Sequence, residues 1–201
     1  MMQGLVLAAG AGVRFGGGKL HALYRGQPLL NHVLGVILAA RERGLLQGGS
    51  VVIAATDGPA LALVKEAGLE PVVNDSPDLG LSYSLRLGLA SLESQIGNEP
   101  SGALVFLGDQ PQVRVEVVEQ LVGAWRQGKG PIIRPRYADN RDTPGHPVLL
   151  SHVVWPLARH LEGDRGWSAL LKRGSPELVT VDVPGNNPDV DTRVDLQALE
   201  R

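Results

Sequence analysis

A stretch almost bare of side chains, LAAGAGVRFGGGK, runs from Leu7 to Lys19, directly after the apolar Gly4-Leu5-Val6. Gly10, Gly12, Gly16, Gly17 and Gly18 free the main chain for left-handed turns and for close approach of a ligand. Successive N–H groups in such a loop form a nest for an anion. Arg14 and Lys19 are the only charges beside it, and they supply what a phosphate requires. A flexible surface turn with solvated cations is the other reading of the same residues. Two common phosphate loops are excluded. A Walker A loop needs glycine where Val13 stands and Ser or Thr where Leu20 stands. The dinucleotide pattern G-x-G-x-x-G begins at Gly10 and Gly12 but meets Phe15, and the acid expected at the end of the second strand is missing.

Asp109 and Asp191 are the acids placed to assist such a loop. Asp109 follows the strongest apolar run, Ala103 to Leu107, and Asp191 begins the last helical pattern. A magnesium site uses one or two carboxylates, phosphate oxygens and water, which suits two acids far apart in sequence, each at an element end. A turn residue before Pro111 and a helix-terminal charge are their structural alternatives. Gly80, Ser82 and Ser84 open a helical pattern, where N–H groups and hydroxyls either bond a ligand or cap the helix. His146, in Gly145-His146-Pro147, and Arg165, in a Gly-flanked turn, are candidates to face a phosphorylated acceptor. A structural histidine and a solvated arginine are the alternatives. Trp155 and Trp167, at helical positions, read as core packing.

The elements that must position these residues alternate in type. Buried strands are expected at Leu5 to Ala8, Val51 to Ala55, Pro71 to Val73, Ala103 to Leu107 and Leu178 to Val183, with weaker ones at Pro131 to Ile133 and Pro147 to Leu150. Helical spacing runs from Leu29 to Leu38, with Pro28 where a helix can begin and Gly44 as a stop. Further helices are expected at Pro59 to Ala67, Leu81 to Leu92, Val115 to Trp125, His152 to Leu161, Trp167 to Lys172 and Thr192 to Leu199. Thr192 and Asp195 have capping-box spacing. This order predicts a single α/β domain over residues 1–201, Rossmann-like, with a mostly parallel sheet and helices on both faces. The ligand site then lies beyond the carboxyl ends of the strands, where the loops after Leu7, Ala55, Val73 and Leu107 gather.

Composition narrows the partners. The chain has 201 residues, 43% hydrophobic and 20% charged, with a net charge of −2. That gives no electrostatic footprint for nucleic acid or an anionic membrane. No cysteine is present, so disulfides and thiolate metal sites are excluded, and a reducing cytoplasm fits. No basic region precedes Leu5 to Ala9, so no signal peptide is expected. The most apolar segment, Val33 to Ala40, is too short to span a bilayer.

Leu7-Ala8-Ala9-Gly10-x-Gly12-x-Arg14-Phe15-Gly16-x-x-Lys19 resembles the signature of the MobA-like NTP transferases, and within them the molybdenum cofactor cytidylyltransferase branch. Gly80-Leu81-Ser82-Tyr83-Ser84-Leu85, Gly108-Asp109-Gln110-Pro111, Gly145-His146-Pro147-Val148, Gly163-Asp164-Arg165-Gly166 and Asp189-Val190-Asp191-Thr192 follow in the family's order and cover nearly the whole chain. The chain departs at Arg193, where the family usually carries proline. The resemblance implies transfer of CMP from CTP to molybdopterin, with release of pyrophosphate and Mg²⁺ as cofactor. It implies that Leu7, Ala8, Ala9, Gly10 and Gly12 wrap the nucleotide. Arg14 and Lys19 would neutralise the pyrophosphate, and Asp109 and Asp191 would hold the metal. Asp191 is favoured over Asp189 as ligand. Gly80, Ser82 and Ser84, with Ala8 and Ala9, would read the base, with alanine at position 9 as in cytidylyl members. His146 and Arg165 would meet the acceptor. Another small phosphate acceptor, or a non-catalytic carrier delivering molybdopterin to a client molybdoenzyme, are the alternatives.

Overall fold

Strand β1 (Met2–Ala8) is buried along its whole length, and the fold is built outward from it. The computed structural model describes residues 1–94, 101–142, 145–163 and 177–200. After β1 come a short hairpin, β2 (Leu23–Tyr24) and β3 (Gln27–Pro28), and helix α1 (Leu29–Glu42). Then follow β4 (Gly48–Ala54), α2 (Gly58–Glu66), β5 (Glu70–Asn74), α3 (Leu81–Glu93), β6 (Gly102–Leu107) and α4 (Val115–Arg126). The rest comprises β7 (Ile132–Tyr137), β8 (Val148–Ser151), a 3-10 helix (His152–His160), β9 (Leu178–Val183) and α5 (Arg193–Leu199). A 7-stranded sheet has the order β5-β4-β1-β6-β8-β7-β9. Only β8 runs against its neighbours β6 and β7, so the sheet is mostly parallel, as expected.

Strand alternation sends neighbouring side chains to opposite layers. Val6, Ala8, Leu104 and Phe106 join α1, α2 and α4 on one face. Leu5, Leu7, Ala103 and Val105 join α3 and the 3-10 helix on the other. The connection from β1 through α1 therefore leaves on the face opposite to that from β5 through α3 into β6. The two diverge at β1, a topological switch point, where a ligand crevice belongs. Register places Leu7 beside Leu107 and Ala8 beside Ile53, so the carboxyl ends of β1, β4 and β6 share one rim.

Three local features differ from the sequence expectation. β7 extends to Tyr137 because it pairs with β9 through Tyr137 and Val183, although Arg134, Pro135 and Arg136 interrupt its apolar run. The segment His152–His160 is a 3-10 rather than an α-helix, with Pro156 inside it removing a backbone donor. The β2–β3 hairpin is too short to show a period in sequence. The expected Trp167 to Lys172 helix lies outside the described residues. The capping box forms as expected: the Thr192 hydroxyl accepts from the Asp195 N–H, while the Asp195 carboxylate accepts from the Thr192 N–H.

Helix α3 settles onto the sheet at Gly88, where an added Cβ would lie 2.4 Å from Leu5 Cδ1 and 3.0 Å from Val52 Cγ2. Both neighbours are fully buried and have no room to retreat. Gly88→Val should therefore lower the melting temperature by roughly 5 °C or more through overpacking. Gly123 in α4 has nothing within 4 Å of its would-be Cβ. Gly123→Ala should hold or raise the melting temperature, and thermal denaturation of the pair checks the contrast.

Candidate active site

The chain leaves β1 at Ala9 and turns through Gly12, Gly16, Gly17 and Gly18, with φ of 58°, 87°, 85° and 64°. These are left-handed values that side-chain-bearing residues rarely adopt, which is the local reason for the glycines. Buried Phe15 anchors the loop into a small cluster with Tyr24, Leu29 and Val190. The loop then returns Lys19 across the cleft. Its ammonium donates to Asp109 Oδ2 at 2.6 Å and lies 3.5 Å from Asp191 Oδ1. Arg14 Nη1 lies 3.0 Å from Asp191 Oδ2. Lys19 has 11% of its side chain exposed and Arg14 has 75%, so the lysine pair carries the stronger interaction and the arginine pair is screened by water.

Each acid is fixed by its own loop. β6 passes close to β1 because Gly108 has no Cβ; one there would meet the Ala8 Cβ at 2.8 Å. The Gly108 N–H donates to the Leu7 carbonyl at 3.0 Å and delivers Asp109 to the rim. The Val190 N–H donates to the Asp109 carbonyl at 3.0 Å, tying the second acidic loop to the first. Asp195 accepts from the Asp191 N–H at 3.0 Å, so the start of α5 orients the Asp191 backbone. Asp189 accepts from Gln110 Nε2 at 2.8 Å, while Gln110 Oε1 accepts from Asn187 Nδ2 at 3.0 Å. The Asn187 amide and the Tyr137 hydroxyl both donate to the His146 carbonyl, at 3.3 and 2.8 Å. Desolvation, and then the charge of Asp109, raise the Asp189 carboxyl above the usual aspartate range.

These groups surround a cleft of about 650 Å³. Leu7, Ala9, Gly10, Gly12, Arg14, Lys19, Gly80, Ser84, Asp109 and Asp191 all line it, with Asp189 beside them. Ala8 does not: strand alternation turns its Cβ to the other face, against the Gly108 site. Ser82 does not line it either. Among the described residues the Ser82 hydroxyl is buried without a hydrogen-bond partner, and its N–H donates to the Gly163 carbonyl at 3.0 Å. Ser84 Oγ accepts from the buried Asn74 amide at 3.0 Å, a support that the sequence does not show. His146 lies outside the lining and contributes its carbonyl to the Gln110–Asn187 chain. Arg165 lies outside the described residues.

A glycine loop on a strand end, facing paired acids at the carboxyl rim of a mostly parallel sheet, defines an α/β nucleotide-transfer type of protein. The chain belongs to the MobA-like NTP transferase domain family, whose model matches residues 4–179. The crystal structure of Rv0371c from Mycobacterium tuberculosis is similar, with 30% identity, a TM-score of 0.82 and coverage of 100% of this chain and 98% of that one. A manganese complex of the same mycobacterial protein shows 29% identity and a TM-score of 0.75, covering 98% and 97% of the two chains. Molybdopterin-guanine dinucleotide biosynthesis protein A from Archaeoglobus fulgidus shares the fold at 18% identity, with a TM-score of 0.67 and coverage of 98% and 96%. No curated protein matches the chain. No helix among the described residues is long and apolar enough to cross a membrane.

Burial, and then the charge of Arg134, push the His146 ring down to about 4 from its ordinary 6.5. Between those values the unfolded chain binds a proton that the folded chain refuses, so stability falls as pH drops through that window. His146→Gln should flatten this slope. Melting temperatures of both proteins from pH 7 to pH 4 check it, with the curves converging as pH falls.

Proposed function

We propose that the protein transfers CMP from CTP to the phosphate of molybdopterin, with Mg²⁺, releasing pyrophosphate. The observation that carries this reading is Lys19, held between Asp109 and Asp191 at the mouth of the glycine loop. The donor set fits a magnesium ion. Two carboxylates converge on one cation position, and among the described residues no group of three or more His, Cys, Asp or Glu forms a complete protein cage. Phosphate oxygens and water would complete the shell, as octahedral magnesium prefers. The manganese complex of the mycobacterial relative supports the use of a divalent cation. When bound, Mg²⁺ supplies charge neutralisation and orientation of the triphosphate.

The chain's own residues then act by position and charge. An oxygen of the acceptor phosphate attacks the α-phosphorus of CTP. A new P–O bond forms, the bond from the α-phosphorus to the oxygen bridging it to the β-phosphorus breaks, and its electron pair leaves on pyrophosphate. The nucleophile is already anionic near neutral pH, so no general base is needed. Lys19 exchanges its carboxylate partners for a phosphate oxygen and, with Arg14, stabilises the charge that grows on the leaving group. Asp109 and Asp191 would hold the metal, while Asp189 stands beside them on its Gln110 support. Gly80, Ser84 and Ala9, which line the cleft, would read the base. His146 supports the site through Asn187 and, beyond it, Gln110, and Arg165 is assigned to the acceptor by its motif alone. Delivery to a client molybdoenzyme would follow transfer.

A second reading keeps the transfer and replaces the acceptor with another small phosphate. It is favoured by the cleft lining, which among the described residues contains no aromatic ring to stack on a pterin. A carrier without chemistry has no need of Lys19 between two acids. Cytoplasmic location remains part of the proposal.

Lys19→Ala should lower kcat by roughly a hundredfold or more, with a smaller change in KM for CTP, because its main partner appears in the transition state. Lys19→Arg should restore activity only in part, since a planar fork does not reproduce a compact ammonium. Asp109→Ala should abolish turnover without loss of fold. Steady-state pyrophosphate release and thermal melting read all three, and an unchanged kcat in Lys19→Ala refutes the role.

Base choice rests on the floor at Ala9. Steady-state comparison should show CTP preferred over GTP, and Ala9→Gly should narrow the ratio of their kcat/KM values. An initial preference for GTP overturns the cytidylyl reading.

A further inference from the structure

Behind the Asp109 loop, a second cavity of about 480 Å³ opens between the β2–β3 hairpin, the segment after Pro111 and the turn at Gly185. Arg25 and Arg114 line it, and Asp139 is the only acid among the described residues that does. Neither arginine forms a salt bridge among the described residues, in contrast to Lys19 and Arg14 in the cleft, although Arg114 also interacts electrostatically with the Glu116 carboxylate on α4. Among the described residues, the charged side chains lining the cavity are thus two guanidinium groups and one carboxylate.

Arg25 is held there at a conformational cost. It occupies the tight turn of the hairpin at φ 49°, beside Gly26 at φ 80°. Such a turn favours Asn or Asp at this position, because they tolerate left-handed backbone. Arg25 is the only residue other than glycine with positive φ among those described. Its guanidinium lies over the Tyr24 ring at 5.1 Å, and the Tyr24 hydroxyl accepts from Gln112 Nε2 at 3.3 Å. On the opposite wall, Arg114 donates to the Pro184 carbonyl. A Cβ at Gly185 would lie 3.3 Å from Arg114 Nη2, so glycine there leaves the guanidinium its space.

We propose that this cavity, separate from the catalytic cleft, binds a small phosphorylated ligand through Arg25 and Arg114. Planar guanidinium forks match phosphate oxygens in pairs, and the volume is that of a small-molecule site. The floor also reaches the catalytic loops. Tyr24 packs in one cluster with Phe15 of the glycine loop and with Val190, between Asp189 and Asp191. An occupant therefore touches Tyr24, which packs against the scaffold that sets the acids.

The test uses inorganic phosphate as probe, without metal or nucleotide. Amide resonances are followed in ¹⁵N-labelled Lys19→Ala protein, so that phosphate on the glycine loop is weakened. The amides of Arg25, Gly26 and Gly185 should shift saturably, and chloride at equal ionic strength should not reproduce the shift. Arg25→Asn in the same background should weaken the dissociation constant at these amides tenfold or more. Its melting temperature should hold or rise, because asparagine suits the turn. Absence of a saturable shift, or the same constant in Arg25→Asn, overturns the proposal. Because no turnover is measured, this result stands apart from the proposed transfer reaction.

Discussion

One ammonium group holds the site together. Lys19 lies between Asp109 and Asp191, which arrive from strands and loops far apart in the chain. Without it Asp109 would lose its ion-pair partner, and Asp191 would keep only the water-screened Arg14. The surrounding local structure serves this meeting. The left-handed glycines bend the first loop back, Gly108 lets the second pass close to β1, and the capping box fixes the third. The bond from the Val190 N–H to the Asp109 carbonyl joins the two acidic loops.

The charge count in the cleft has a functional consequence. Lys19 and Arg14 face Asp109, Asp189 and Asp191, so the lining alone does not attract a polyphosphate. Asp189 shows the excess of negative charge, since its carboxyl is raised in part by Asp109 and Asp191. A triphosphate is therefore best received together with a cation that takes the carboxylates and leaves the ammonium for the phosphates.

Much of this was legible in the sequence, for physical reasons. Strands of the parallel core are continuous apolar runs, so β1, β4 and β6 were recognisable, and with them the rim that carries Asp109. The Thr192–Asp195 spacing announced α5, and the glycines announced the left-handed loop. The phase of each element was also present but unread. Period two turns Ala8 away from Leu7 and Ala9, and residues two apart on a helix, such as Ser82 and Ser84, do not share a face. The Gln110–Asn187–His146 chain was not legible, because its hydrogen bonds join residues brought together only by the sheet order. β7 was truncated in the reading because its pairing with β9 outweighs the polar residues within it.

In the proposed reaction the glycine loop, the shared lysine and the paired acids would act together to move a nucleotide to a phosphate. Pyrophosphate release tests this most directly, measured with the purified protein, Mg²⁺, each nucleoside triphosphate in turn, and molybdopterin present or absent. The account predicts release that requires the acceptor and is fastest with CTP. Absence of acceptor-dependent release with every nucleotide would contradict it.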